Sequence, residues 1–388
     1  MQFVFVSKIM LMVNIFVIFL EKMQKDKERL EAMKKTALIM AGGRGERFWP
    51  KSRKSLPKQF LSLTDDGRTM IQLTVERIRP LIDLEDIYIS TNRAYRGLVM
   101  EQLPGIPPEN ILCEPVGRNT APCIGLGAVH IAKKYEDAVM MVLPSDHLIK
   151  YNQMFLNALK DGCSIAEKGK NLVTIGITPD YPETGYGYIK FLPQQADGNA
   201  YAVDRFVEKP DMETAKEYLE SEEYLWNSGM FIWKVSTILD NMKSMLPDLH
   251  QGLLNIAEAI GTDKQEMVLE KVFPELESVS IDYGVMEKAE NIFILPGVFG
   301  WDDVGSWLAV ERIQKSNESG NVVTGNIITI NSKNNIIQGG KKLIAAVGLE
   351  NLIIVDTEDA TLICDKGNTP DIKLVLENLK ICNREEYL

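Results

Sequence analysis

Cysteine, histidine and positive charge are all in short supply in this chain. Its five cysteines, Cys113, Cys123, Cys163, Cys364 and Cys382, are odd in number and never spaced Cys-x-x-Cys. That argues against a disulfide framework or a thiolate zinc site and fits a reducing, cytoplasmic setting. Three histidines, His130, His147 and His250, are too scattered to form a metal motif or a catalytic triad. The 43 basic residues are outnumbered by 54 acidic ones, a net charge of −11. Such a chain is a poor candidate for nucleic acid or an anionic membrane, so any anion-binding charge has to be local. Long apolar runs are missing too. Met1 to Leu20 is apolar but interrupted by Lys8 and Asn14, leaving less than the roughly 20 residues a spanning helix needs. It also lacks the small-residue cleavage pattern of a signal peptide. Residues 1–32 therefore read as an extension outside the fold, with Met33-Lys34-Lys35-Thr36 as a natural beginning.

What is present is regular alternation. A chain of 388 residues is long enough for about two domains. Strands are expected at 36–41, 87–91, 111–114 and 138–143, with helices at 70–78, 98–103 and 121–134 between them. Further on, a helix at 155–168, strands at 172–177 and 187–191, a helix at 212–221 and strands near 231–233 and 292–296 follow. The fold class is α/β: an open mixed, mostly parallel sheet with helices on both faces, over residues 33–315. From 320 to 388 the texture changes to short Val/Ile runs between Gly-Asn, Gly-Gly and Asp-Lys-Gly turns, then a helix at 371–379. This second part reads as β hairpins or solenoid coils, a packing or oligomerisation module in keeping with a homodimer.

The most informative stretch follows the first strand. Gly42, Gly43 and Gly45 open a loop in which backbone N–H groups can approach phosphate oxygens closely. Arg44, Arg47, Lys51, Arg53 and Lys58 supply countercharge. No third glycine opens a helix, so this is not a dinucleotide fingerprint, and no Gly-Lys-Ser/Thr follows to make a Walker loop. The string Gly-Gly-x-Gly-x-Arg-Phe-Trp-Pro-x-Ser-Arg-x-x-x-Pro-Lys-Gln-Phe-Leu, residues 42–61, resembles the signature of the sugar-1-phosphate nucleotidylyltransferases. Its Phe-Trp-Pro and Pro-Lys-Gln-Phe elements resemble the mannose-1-phosphate guanylyltransferase branch.

That resemblance implies GTP and mannose 1-phosphate as substrates, GDP-mannose and pyrophosphate as products, and Mg²⁺ as cofactor. Lys58 and Arg47 are implied as the catalytic cations. Asp146, at the exit of the strand ending in Leu143, and Asp303, in Trp301-Asp302-Asp303-Val304-Gly305, are implied as metal ligands; Mg²⁺ commonly takes one or two carboxylates and completes its shell with phosphate and water. The nucleotide set is Gly42, Gly43, Gly45, Glu114, Arg118 and Asn119. Glu114 suits a guanine edge, Arg118 suits phosphate, and a turn with a helix cap fits the segment equally well. For the sugar phosphate, Gly187, Glu208, Lys209 and Asn227 match family elements, while 280–288 is assigned to the site wall. Longer relatives carry a phosphomannose isomerase domain of cupin type, for which this chain has no room. The rival readings are another sugar 1-phosphate or nucleotide, and a non-catalytic subunit that binds GDP-mannose.

Overall fold

The computed structural model describes residues 33–43 and 45–388. The expected extension over 1–32 lies outside the described residues, and so does Arg44. Lys35–Leu388 form one compact unit.

Eleven strands build the first part: β1 (Lys34–Ala41), β2 (Ile87–Asn92), β3 (Ile111–Glu114), β4 (Ala138–Pro144), β5 (Leu148–Ile149), β6 (Leu172–Ile177), β7 (Tyr188–Asp197), β8 (Ala200–Val207), β9 (Tyr224–Lys234), β10 (Ile292–Gly297) and β11 (Trp301–Asp302). Nine of them form one sheet in the order β3-β2-β1-β4-β9-β6-β10-β8-β7. β1, β2 and β3 are mutually parallel, as are β6 and β10. β9 runs antiparallel to β4 and β6, and β8 antiparallel to β10 and β7, so the sheet is mixed as expected. Its central strands are largely buried because helices cover both faces. In β4 every residue from Ala138 to Leu143 is buried. The helix Thr120–Lys134 sends Ile124, Ala128 and Ile131 into the core beside Leu38, Met140 and Val142. On Asn152–Glu167, Gly162 lies so close to Ile232 of β9 that a Cβ there would come within 2.4 Å of its Cδ1.

Two parts of this domain exceed the sequence reading. β9 is eleven residues long, where only 231–233, near its C-terminal end, is expected. β8 and the helices Val235–Met245, Pro247–Ala259 and Gln265–Val272 are not foreseen, although Ile238, Met242, Leu249, Leu253, Ile256 and Leu269 join the main core.

In the C-terminal part the choice between hairpins and coils falls to coils. β12 (Val322–Thr324), β14 (Ile336–Gln338) and β16 (Leu352–Asp356) pair in parallel, as do β13 (Ile327–Ile330) and β15 (Ile344–Val347). Only the final pair, β16 with β17 (Thr361–Asp365), is a hairpin. Buried asparagines hold successive coils in step: Asn335 Nδ2 donates to Asn321 Oδ1 at 2.9 Å, and Asn321 Nδ2 to the Ser332 carbonyl at 2.8 Å. Asn331, Asn334 and Asn351 take left-handed backbone at the corners, φ +51°, +51° and +58°, a conformation this residue tolerates better than most. The solenoid and its closing helix, Ile372–Ile381, share one apolar cluster with the signature loop, in which Phe48, Trp49 and Trp307 meet Ile336, Ile353, Val355, Ile372 and Leu376.

Candidate active site

The chain leaves β1 into the glycine loop, and Gln59 fixes its path. The Gln59 amide donates to the carbonyls of Ala41 (2.8 Å) and Gly43 (3.0 Å). Gly45 is the glycine that geometry demands. It sits at φ +61°, and a Cβ there would fall 2.3 Å from the Cβ of Lys58. Without a side chain at 45, Lys58 can lie directly against the loop, in a short turn over Lys58–Phe60. Its ammonium, on a side chain only 6% exposed, bonds Asp146 Oδ2 at 2.9 Å and the Asp303 carbonyl at 2.7 Å.

Lys58, Arg47, Asp146 and Asp303 thus meet, although the sequence separates them widely. Together with Gly45, Glu46, Phe48, His147, Gly305 and Lys373 they line a cavity of about 550 Å³. It opens beyond the carboxyl ends of β1 and β4, the edge where ligands gather in open α/β sheets. Burial would raise the Asp146 carboxyl, but the Lys58 ammonium, by its charge and its hydrogen bond, outweighs it and holds it below the ordinary carboxylate range. Burial pushes His147 down. Its Nδ1 accepts from Trp301 Nε1 at 3.1 Å, which leaves the imidazole neutral with its proton on Nε2. Asp303 Oδ1 accepts from the Tyr186 hydroxyl (2.7 Å) and the Gly305 N–H (3.1 Å). Burial first, then the Asp303 charge, push the Tyr186 phenol far up, so it stays a donor.

Two of the five expected countercharges, Lys51 and Arg53, are turned elsewhere, as is Lys54, while Arg44 lies outside the described residues. Lys51 donates to Gln338 Oε1 at 2.9 Å, Arg53 pairs with Asp359 at 2.9 Å, and Lys54 pairs with Glu385 at 2.9 Å. All three partners lie in the C-terminal part. Trp49 Nε1 donates to the Tyr387 carbonyl at 2.7 Å, and Trp307 Nε1 donates to the Trp49 carbonyl at 3.1 Å. Neighbouring Asp302 is equally occupied: Arg312 grips its carboxylate with two nitrogens, and Oδ1 also accepts from the Val304 N–H.

The second group assembles next to Tyr186. A Cβ on Gly187 would lie 3.2 Å from Glu208 Oε2 and 3.6 Å from Asn227 Cβ. Asn227 Nδ2 donates to Asp282 Oδ1 at 2.7 Å, which brings the 280–288 segment into the cluster. Burial raises the Asp282 carboxyl against that hydrogen bond. Lys209 is exposed and lies 3.3 Å from Glu208. The base segment is placed differently. Glu114 is buried, accepts from Ser90 Oγ at 2.8 Å, and does not line the cavity. Arg118 donates to the Pro274 carbonyl, and Asn119 caps the helix Thr120–Lys134 with its side-chain oxygen. Gly42 and Gly43 lie open, with nothing packed where a Cβ would be.

Comparison with known proteins bears on what this arrangement serves. Residues 36–320 match the nucleotidyl transferase family model, and 325–379 match the MannoseP isomerase/GMP-like beta-helix domain. A mannose-1-phosphate guanylyltransferase of Salmonella muenchen is 44% identical over 356 residues, 90% of this chain and 74% of that protein. A second, mannose-1-phosphate guanylyltransferase 2 of Escherichia coli O157:H7, is 41% identical over 91% of this chain and 75% of its own length. The chain belongs to the mannose-1-phosphate guanylyltransferase family. A crystal structure described as mannose-1-phosphate geranyltransferase, from Thermus thermophilus, superimposes with a TM-score of 0.82 at 34% identity, covering 90% of this chain and all of that one.

Within this guanylyltransferase-family site, four residues escape sequence reasoning in whole or in part. His147 stands beside Asp146 but carries no pattern of its own. Tyr186 reads as a core aromatic, and Asp282 as part of a wall. Lys373 lies in a region read as packing only, and nothing in its neighbourhood announces a ligand.

Proposed function

We infer that the chain transfers GMP from GTP to mannose 1-phosphate, giving GDP-mannose and pyrophosphate. The observation that carries this is the convergence of Arg47, Lys58, Asp146 and Asp303 on one cavity, with Tyr186 joining it to the Gly187, Glu208 and Asn227 cluster. Chemically, an oxygen of the sugar phosphate, already anionic, forms a bond to the α-phosphorus. The bond from that phosphorus to the bridging oxygen breaks, and pyrophosphate leaves with the electron pair. No proton moves and no covalent nucleophile is required.

The protein's task is to hold two anions in line and stabilise the charge they share in the transition state. Lys58 is fixed by two acceptors, so its ammonium needs no reorganisation to serve that role. Arg47 lies beside it. Asp146 is half-exposed to the cavity and Asp303 keeps Oδ2 clear of the bonds that occupy Oδ1. These two hard oxygen donors fit Mg²⁺, and we assign them as its ligands. When bound, the ion would neutralise phosphate charge. We assign Gly187, Glu208 and Asn227 to the sugar hydroxyls, Lys209 to the sugar phosphate, and the solenoid, 320–388, to bracing the loop. Gly42, Gly43, Arg118 and Asn119 remain the proposed nucleotide contacts, with Glu114 the proposed reader of the base.

A panel of four nucleoside triphosphates against several sugar 1-phosphates, read by pyrophosphate release, tests the whole reading. GTP with mannose 1-phosphate should give the highest kcat/KM. Release with no pair would support a binding subunit instead, and preference for another pair would replace the substrates.

A further inference from the structure

Lys373 faces the cavity from the far end of the chain. It occupies the first turn of the helix Ile372–Ile381, and the buried side chains Ile372 and Leu376 fix that helix in the cluster containing Phe48 and Trp49. A cation in a first turn opposes the helix macrodipole, which is positive at that end. Asp371 at the N-cap is the acid at that end, and the first turn itself carries none. Among the described residues the Lys373 ammonium makes no ion pair or hydrogen bond.

The cations around it are mostly engaged. Lys58 is paired with Asp146, and Lys51, Arg53 and Lys54 are engaged by the solenoid and its closing segment. Among the described residues lining the cavity the cations are Arg47, Lys58 and Lys373, and of these Lys58 is already paired.

We propose that Lys373 binds the β- and γ-phosphates of GTP, and therefore the departing pyrophosphate, making the solenoid's closing helix part of the active site. This rests on the reading of the cavity as the GTP site. In-line displacement places the leaving group opposite the attacking sugar phosphate. Lys373 shares its cavity with Gly45, Arg47 and Gly305, whereas Gly187, Glu208 and Asn227 do not line it.

The experiment is steady-state kinetics in both directions for the full chain, its Lys373→Ala form and its Lys373→Arg form, with melting curves. Lys373→Ala should raise KM for pyrophosphate, and for GTP, about tenfold, the equivalent of about 1.4 kcal/mol. KM for GDP-mannose and mannose 1-phosphate should stay within about twofold, Lys373→Arg should recover most of the loss, and the melting temperature should not move, since the side chain is exposed. A pyrophosphate KM within about twofold of the parent would overturn the proposal. So would a uniform fall in all substrates with a lowered melting temperature, which marks a structural role. If the unaltered chain made no GDP-mannose from GTP and mannose 1-phosphate, the function itself would fail, and the proposal with it.

Discussion

The signature string divides into two stretches that do different work. Gly45 to Phe48, with Lys58, faces the cavity. Trp49 to Lys54 faces the solenoid and its closing segment, through the Tyr387 carbonyl, Gln338, Asp359 and Glu385. One stretch faces the cavity proposed to take GTP, and the other addresses the rest of the protein. A motif recognised as a unit can therefore hold two physical functions, and the charge in it cannot all be assigned to phosphate.

The sharpest way to break that division is at its hinge. Trp307 is fully buried, packs on Phe48 with ring centroids 5.2 Å apart, and bonds the Trp49 carbonyl. Trp307→Ala should cost about 3–5 kcal/mol of stability, read by urea denaturation. A loss below about 1 kcal/mol would mean that the two stretches are not coupled through this ring.

Lys58→Ala comes next and probes the cavity side alone. A loss of about 10²–10³ in kcat is expected, with a smaller change in directly measured GTP affinity because Arg47 and the loop N–H groups share the ground-state charge. If Kd rose in step with the loss of kcat/KM while kcat held, Lys58 would be a uniform binding group.

Glu114→Gln separates a buried structural carboxylate from a base-reading one. Burial raises the Glu114 carboxyl, opposed by the Ser90 hydrogen bond. Its folded pKa thus exceeds the unfolded value of about 4.3, so the stability it contributes at low pH is lost as pH rises through the folded value. Glutamine cannot ionise, so the variant's melting temperature should gain on the parent's as pH rises from about 4 to 7. A structural role leaves selectivity for GTP unchanged. A marked rise in KM for GTP, or acceptance of other bases, would support Glu114 as the reader of guanine.

The smallest effect belongs to the solenoid side. Arg53, whose side chain is 13% exposed, pairs with Asp359 and also donates to the Pro50 and Ser52 carbonyls, so Arg53→Ala should cost about 0.5–1.5 kcal/mol and leave kcat near the parent value. A fall in kcat like that of Lys58→Ala would erase the distinction between the two stretches.

Much of this is legible in the sequence, and for identifiable reasons. β4 announces itself as an unbroken apolar run, and its exit residue Asp146 follows from the rule that ligands gather at strand ends. Gly45 and Lys58 are found by a motif whose spacing reflects their contact. β8 escapes because its half-exposed face carries Asp204 and Arg205, which blurs the apolar signal. Lys373 escapes because no local pattern shows that a helix more than three hundred residues downstream faces the loop. Asp302 reads as a spare neighbour of Asp303, yet its bonds to Arg312 and Val304 shape the turn that presents Asp303.

The bond between Trp49 and Tyr387 joins residues 338 positions apart. A ribosome makes Trp49 early and Tyr387 late, and domains tend to fold in the order in which they emerge. The sheet can gather while synthesis continues, but the stretch from Trp49 to Lys54 lacks its partners Gln338, Asp359, Glu385 and Tyr387 until the solenoid and its closing segment have been made. Closing so long a loop is slow. The catalytic loop near the start of the fold is thus among the final pieces to settle, and a nascent chain halted before residue 372 should hold its sheet yet turn over no substrate.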